Sequence, residues 1–152
     1  MIDLNDCLED LNSMGEISLF SGVKLLPQKI FKDARGVLQF GETPSGLPFD
    51  AKRYFLISDV PEGSVRGAHA HKDCEQFLIC VKGSVSCEIR KDGNIETVKL
   101  NSSEAGLYFP KMTWGIQFEY SSDAVLLVFA SHSYDANDYI HGYDEFVELE
   151  RN

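Results

Sequence analysis

Gly63-Ser64-Val65-Arg66-Gly67-Ala68-His69-Ala70-His71, followed shortly by Glu75-Gln76, is the most informative stretch of this chain. Alternate residues of a β-strand point to the same side of a sheet. His69 and His71, separated only by Ala70, therefore leave their strand in one direction. Two imidazoles on one face suit metal ligation or proton transfer, or stand as a hydrogen-bonded structural pair. Histidines so placed beside an Arg-Gly turn are uncommon as core filling, which favours a functional role.

Outward from this segment, the pattern is that of short strands. In Ser84–Arg90 the residues Val85, Cys87 and Ile89 share one face, and Asp92-Gly93 supplies a tight hairpin turn before a returning strand, Ile95–Leu100. Further strands are predicted at Gly36–Glu42, Arg53–Ser58, Gln76–Val81, Gly106–Phe109, Ile116–Tyr120 and Val125–Ala130. Turn-rich stretches at Thr43–Pro48, Asp59–Gly63 and Ser121–Asp123 separate them. Many short strands with close turns make a sandwich or barrel. Ile2, Leu4, Leu8 and Leu11 mark a short amphipathic helix over residues 2–14, able to dock on the barrel or on a partner subunit. The tail from Tyr134 to Glu150 mixes aromatic and acidic residues and is expected to hold another short helix.

A chain of 152 residues suits one domain with one core. No apolar run approaches the roughly 20 residues that cross a bilayer, and the acidic start MIDLNDCLED has no signal-peptide pattern, so a cytoplasmic protein is expected. The net charge of −10 disfavours general affinity for nucleic acid. Cys7, Cys74, Cys80 and Cys87 form no CxxC pair; neither a zinc ribbon nor a disulfide is expected.

The histidine segment resembles the first motif of the cupins: Gly, five residues, His-x-His, three or four residues, Glu, six residues, Gly. Gly63, His69, His71 and Gly83 fit. Glu75 fits the shorter spacing but leaves seven residues before Gly83, and Gln76 stands at the longer one. The second cupin motif resembles the stretch from Gly106 through Pro110, and its metal-binding histidine would fall at Gly115. Glycine has no side chain to coordinate. Two histidines and one ambiguous carboxylate fall short of the three protein ligands that a transition metal usually draws. The expected fold is an all-β double-stranded β-helix (cupin, jelly-roll). The cupin domain is assigned to residues 21–152, behind a helical extension over residues 1–20. His69 and His71 point inward and bind no metal.

Over most of its length, from about Lys29 to Phe146, the chain also resembles the cupin-fold 3,4-ketoisomerases of nucleotide-linked 4-keto-6-deoxyhexoses, the WxcM-like C-terminal domain family. The matching residues are Lys52-Arg53, Arg66-Gly67-x-His69-Ala70-His71-Lys72, the run from Gln76 to Val81, and Leu107-Tyr108 with Pro110 and Trp114. Val128-x-Ala130-Ser131 and the aromatic-acidic tail from Tyr134-Asp135 through Asp138-Tyr139-Ile140 to Tyr143-Asp144 complete them. The resemblance implies a homodimer without metal or other cofactor. It would shift a keto group between C3 and C4 of a dTDP-linked sugar, for surface glycans or deoxyaminosugars. Two stretches depart from the family's pattern: Tyr54-Phe55-Leu56-Ile57, where relatives carry paired tyrosines, and Gly115-Ile116-Gln117, where relatives follow the Trp with His-Glu or Arg-Glu.

A keto shift of this kind passes through an enediol and needs groups that carry protons near neutrality. His69 and His71 are the clustered candidates, while His132 and His141 stand isolated in the sequence. Arg66 or Tyr54 is a candidate donor to the developing enediolate. Arg35, Arg53 and Arg66 are candidates for the diphosphate, since guanidinium groups suit paired phosphate contacts. Trp114 either stacks on the ligand or fills the core. A different class of function stays open: a non-catalytic cupin that binds a nucleotide sugar or carbohydrate.

Overall fold

A computed structural model describes every residue, Met1–Asn152. The first half runs β1 (Ile2–Asp3), α1 (Leu4–Met14), β2 (Ile17–Phe20), β3 (Val23–Pro27), β4 (Lys29–Asp33), β5 (Gly36–Phe40), β6 (Arg53–Ser58) and β7 (Arg66–His71). Then come β8 (Gln76–Lys82), β9 (Val85–Lys91), β10 (Asn94–Leu100), β11 (Ala105–Phe109), β12 (Trp114–Phe118) and β13 (Val125–Ala130). A 3₁₀ turn (Ala136–Asp138), β14 (Tyr139–Ile140) and α2 (Tyr143–Arg151) end the chain. Two six-stranded sheets, ordered β1-β10-β9-β12-β7-β14 and β2-β3-β11-β8-β13-β6, form the expected double-stranded β-helix.

Strand alternation decides which residues meet between the sheets. Val85, Cys87 and Ile89 from β9 face Leu78, Cys80, Leu126 and Val128 from β8 and β13, all buried in one main core. The Asp92-Gly93 hairpin has both residues at positive φ (49° and 78°), as a turn matching the strand twist requires. Helix α1 is capped by Asp3, whose side chain accepts from the Asn5 amide at 3.0 Å. Its Leu4 and Leu11 are fully buried in the main core. The helix is thus continuous with the barrel's core, and Ile2–Asp3, expected to be helical, pairs instead with β10. No helix is long and apolar enough to cross a membrane.

Strands β2, β3 and β4 lie where the sequence shows no clear alternation. β4 and β5 make a separate two-stranded ribbon that leaves Phe31, Val37 and Leu38 exposed. The outer face of the second sheet is also apolar. Tyr54 and Leu56 on β6 stand directly opposite Phe129 and Leu127 on β13. Val81 on β8 is partly exposed as well.

Candidate active site

The histidine strand is bent where it matters. Gly115 pairs with His69 and Ile116 with Gly67, so Ala68 is an extra residue in β7. Gly67 and Ala68 both take positive φ, 80° and 59°. An alanine in that region is strained, and such bulges re-aim side chains beside functional sites. Past the bulge, His69 and His71 turn inward with ring centroids 5.0 Å apart, while Ala70 packs outward.

The two rings have different surroundings. His71 is buried, and its Nδ1–H donates to Asp138 Oδ2 at 3.0 Å. That leaves Nε2 to accept from the Gln76 amide at 3.3 Å, with the tautomer set by this network. His69 instead lines a cleft of about 250 Å³ with Phe55, Ile57, Arg66, Gln76 and Gln117. Burial is the largest cause that lowers the His69 pKa, to about 4; neighbouring His71 adds to it, and a hydrogen bond to the Gly67 carbonyl opposes. An uncharged imidazole carries its proton on one ring nitrogen and a lone pair on the other. Burial also lowers His71, outweighing the opposing Asp138 carboxylate. Asp138 is itself held below the usual carboxylate range: burial pulls upward, but hydrogen bonds from the Asp73 amide and His71 prevail.

Depressed histidines tie stability to pH. Between the folded values and 6.5 the unfolded chain binds more protons than the folded one. Stability is therefore complete above about pH 6.5 and lost as pH falls toward about 4, with His69 contributing on the order of 2 kcal/mol. Urea unfolding at about pH 7.5 and about pH 5 should show this loss, and His69→Gln should flatten it. Equal slopes in the two proteins would contradict the buried neutral state.

The resemblance matches Asp138 within the aromatic-acidic tail but gives it no role, because 67 residues separate it from His71. Tertiary pairing brings it there: Tyr139 and Ile140 pair with His71 and Ala70. The Asp135 side chain caps the preceding 3₁₀ turn by accepting from the Asn137 amide at 2.9 Å. Tyr139 lies against both histidines, at 5.1 and 4.4 Å between centroids. His141, isolated in sequence, stacks on Tyr139 and comes within 6.2 Å of His69. His132 stays on the surface beside Ser131.

The other expected site residues divide. Arg66 lines the cleft. Arg53 reaches the Tyr139 hydroxyl at 3.5 Å and packs over Phe55 and Tyr134, with its Nε buried and unpaired. Tyr54 does not join them. Alternation sends Arg53, Phe55 and Ile57 inward and Tyr54 outward, where it is 67% exposed. Trp114 is 4% exposed and sits behind the sheet with Ala70, Ile140 and Phe146, so it fills a core and does not meet the cleft. Arg35, its side chain 90% exposed, is at the tip of the β4–β5 ribbon, bonded to Asp33 at 2.6 Å and away from the histidines of its own chain.

The positions that correspond to cupin metal ligands bring together His69, His71, the amide of Gln76 and the bare backbone of Gly115. Glu75 is turned away, accepting from the Tyr108 hydroxyl. A second set, His71, Cys74 and Asp138, places possible ligand atoms within 4.8 Å of one another. Arg53 borders it, through Cys74 and His71, and opposes a cation there.

Fold and site together define a cupin-type barrel whose cleft presents a neutral histidine backed by a His-Asp pair. The chain belongs to the WxcM-like C-terminal (FdtA) family, whose profile matches residues 21–151. It is 41% identical over 124 residues to TDP-4-oxo-6-deoxy-alpha-D-glucose-3,4-oxoisomerase of Aneurinibacillus thermoaerophilus, covering 81% of this chain and 88% of that one. Among solved structures, a 3,4-ketoisomerase from Helicobacter canadensis superposes with a TM-score of 0.84 at 36% identity, over 88% of this chain and 100% of that one. QdtA, a sugar 3,4-ketoisomerase from Thermoanaerobacterium thermosaccharolyticum in complex with TDP, gives 0.83 at 34% identity, over 88% and 97%. A histidine-to-asparagine variant of QdtA, solved with TDP-4-keto-6-deoxyglucose, matches as well, at 0.83 and 34% over 88% and 96%.

Proposed function

We propose that this chain is an isomerase that moves the keto group of a dTDP-linked 4-keto-6-deoxyhexose between C4 and C3, for surface glycan or deoxyaminosugar synthesis. The observation that carries the reading is His69: a neutral imidazole with a free lone pair, lining the cleft and supported from behind by His71 and Asp138. His69 takes the proton from C3. The C3–H electrons form the C3=C4 double bond, and the C4 carbonyl pair moves to its oxygen. The proton then returns to C4, the 3-hydroxyl gives its proton to the oxygen at C4, and the ketone stands at C3. No electrons are exchanged with a cofactor, and the reading includes neither cofactor nor metal.

A value of about 4 is low for such a base. An anionic diphosphate and the enediolate both favour imidazolium, so a bound substrate raises the His69 pKa toward neutral pH. Arg66, which lines the cleft, and Arg53, beside the Tyr139 hydroxyl, are the cations this reading assigns to the diphosphate.

The reading places the enzyme in the cytoplasm, in line with four free thiols, and apart from nucleic acid, in line with the net charge of −10. It also includes a homodimer. The apolar outer face around Tyr54, Leu56 and Val81, with Phe31 and Leu38 of the ribbon, is the support for that. Light scattering at micromolar concentration should give twice the chain mass of 17.0 kDa, and a monomer would count against it.

The test of activity is incubation with dTDP-4-keto-6-deoxyglucose in deuterium oxide, followed by NMR. The expected product is the 3-keto sugar carrying deuterium at C4, unless the same proton passes from C3 without exchange. Binding with neither isomerisation nor C3 exchange would remove the enzyme reading and leave a nucleotide-sugar-binding cupin.

A further inference from the structure

Two residues beyond the histidine's partner on β12 lies a polar group that the mechanism above leaves unused. Gln117 is 9% exposed, lines the cleft, and its carboxamide bonds to no protein group. Neither of its polar atoms is sealed from the cleft. Cleft water can satisfy the amide when no ligand is bound, and a ligand that displaces this water must offer the same hydrogen bonds.

The surrounding backbone makes room for it. A Cβ on Gly67 would stand 2.6 Å from Gln117 Oε1, and one on Gly115 would stand 3.3 Å from Gln117 Nε2. The carboxamide thus lies across two glycines, in volume that side chains there would take. Gly67 sits at positive φ in the bulge, so the feature that aims His69 also opens this space. Gly115 is the residue paired with His69, and Gln117 is two positions along on the same face. The side chain reaches back along β12, so its carboxamide lies over Gly115, the residue paired with His69, and one bound sugar can meet both groups.

We infer that Gln117 is a substrate-contacting residue: its Nε2–H donates to the C4 oxygen of the keto sugar, and its Oε1 accepts from an adjacent sugar hydroxyl. The inference rests on the isomerase reading above. An amide suits the task because it donates to a developing oxyanion without adding charge or losing a proton. It also gives the cleft a preference for sugars with an acceptor at C4.

Gln117→Met keeps length and removes the donor. Its kcat should fall by about 10- to 100-fold, with TDP affinity within about twofold of the wild type. Gln117→Glu places an anion in the cleft. It should lower kcat further and move the acid limb of the kcat/KM profile to higher pH, because a carboxylate raises the neighbouring imidazole. That shift reports that the side chain lies beside His69, while the kcat loss at unchanged TDP affinity in Gln117→Met reports the contact with the sugar. An unchanged kcat in Gln117→Met, or an unmoved acid limb in Gln117→Glu, overturns the inference. If the wild type itself is inactive, the isomerase reading falls separately. The affinity of TDP-4-keto-6-deoxyglucose relative to TDP then decides: a preference unchanged in Gln117→Met overturns the contact.

Discussion

His69→Asn should reduce isomerisation by about 10²–10⁴-fold while TDP affinity stays within a few-fold of the wild type. The sequence left the two histidines equivalent, and the structure separates them. His69 lines the cleft and keeps a ring nitrogen free, whereas both nitrogens of His71 are engaged, by Asp138 and Gln76. Asparagine preserves polarity and approximate size but cannot carry a proton near neutral pH. The loss should fall on kcat more than on binding, because the diphosphate is held by other groups. His71→Asn, measured alongside, should retain more turnover, since His71 acts by packing against and orienting its neighbour. An active His69→Asn with an inactive His71→Asn would reverse the assignment.

Phe146→Ala should destabilise the fold by about 3–5 kcal/mol, the range for a buried aromatic truncated to alanine. Phe146 is fully buried on α2, within a small core with Ala70, Trp114 and Ile140. Its ring centroid is 5.6 Å from that of Trp114, and Tyr143 approaches the same indole at 5.2 Å. Ala70 belongs to the strand that carries both histidines, and Ile140 follows Tyr139, so this core is the backing of the active site. The cavity left by the ring would loosen β7, β12 and β14 together. Denaturant unfolding at fixed protein concentration is the measurement, and the chain's single tryptophan, Trp114, reports from within the affected core. A loss below about 1 kcal/mol would mean that the helix is not a structural clamp.

Much of the barrel was readable because strand burial has a period of two. Arg53–Ser58 and Val125–Ala130 are strands with the expected ends, and the Asp92-Gly93 turn sits where expected. The His-x-His spacing was sufficient to send both imidazoles to one side. The same rule, applied to the resemblance, would have excluded Tyr54 and Trp114, since each alternates with the cleft-facing residues Phe55 and Gly115. β2 to β4 are harder to read: β3 buries Val23 and Leu25 but its alternation breaks at Leu26, β2 is an edge strand, and β4 belongs to the exposed ribbon, where neither face is deeply buried.

Other features depend on contacts between residues far apart in the chain. Asp138 reaches His71 only because β14 pairs with β7, and His141 joins the cluster by the same pairing. The free state of Gln117 depends on the two glycines beneath it, one on each of two paired strands. Local periodicity says which side of a strand a residue occupies. Which histidine meets the ligand, and which is tied to a carboxylate, follows from strand register and burial, because only the assembled sheets set the distances on which hydrogen bonds and desolvation depend.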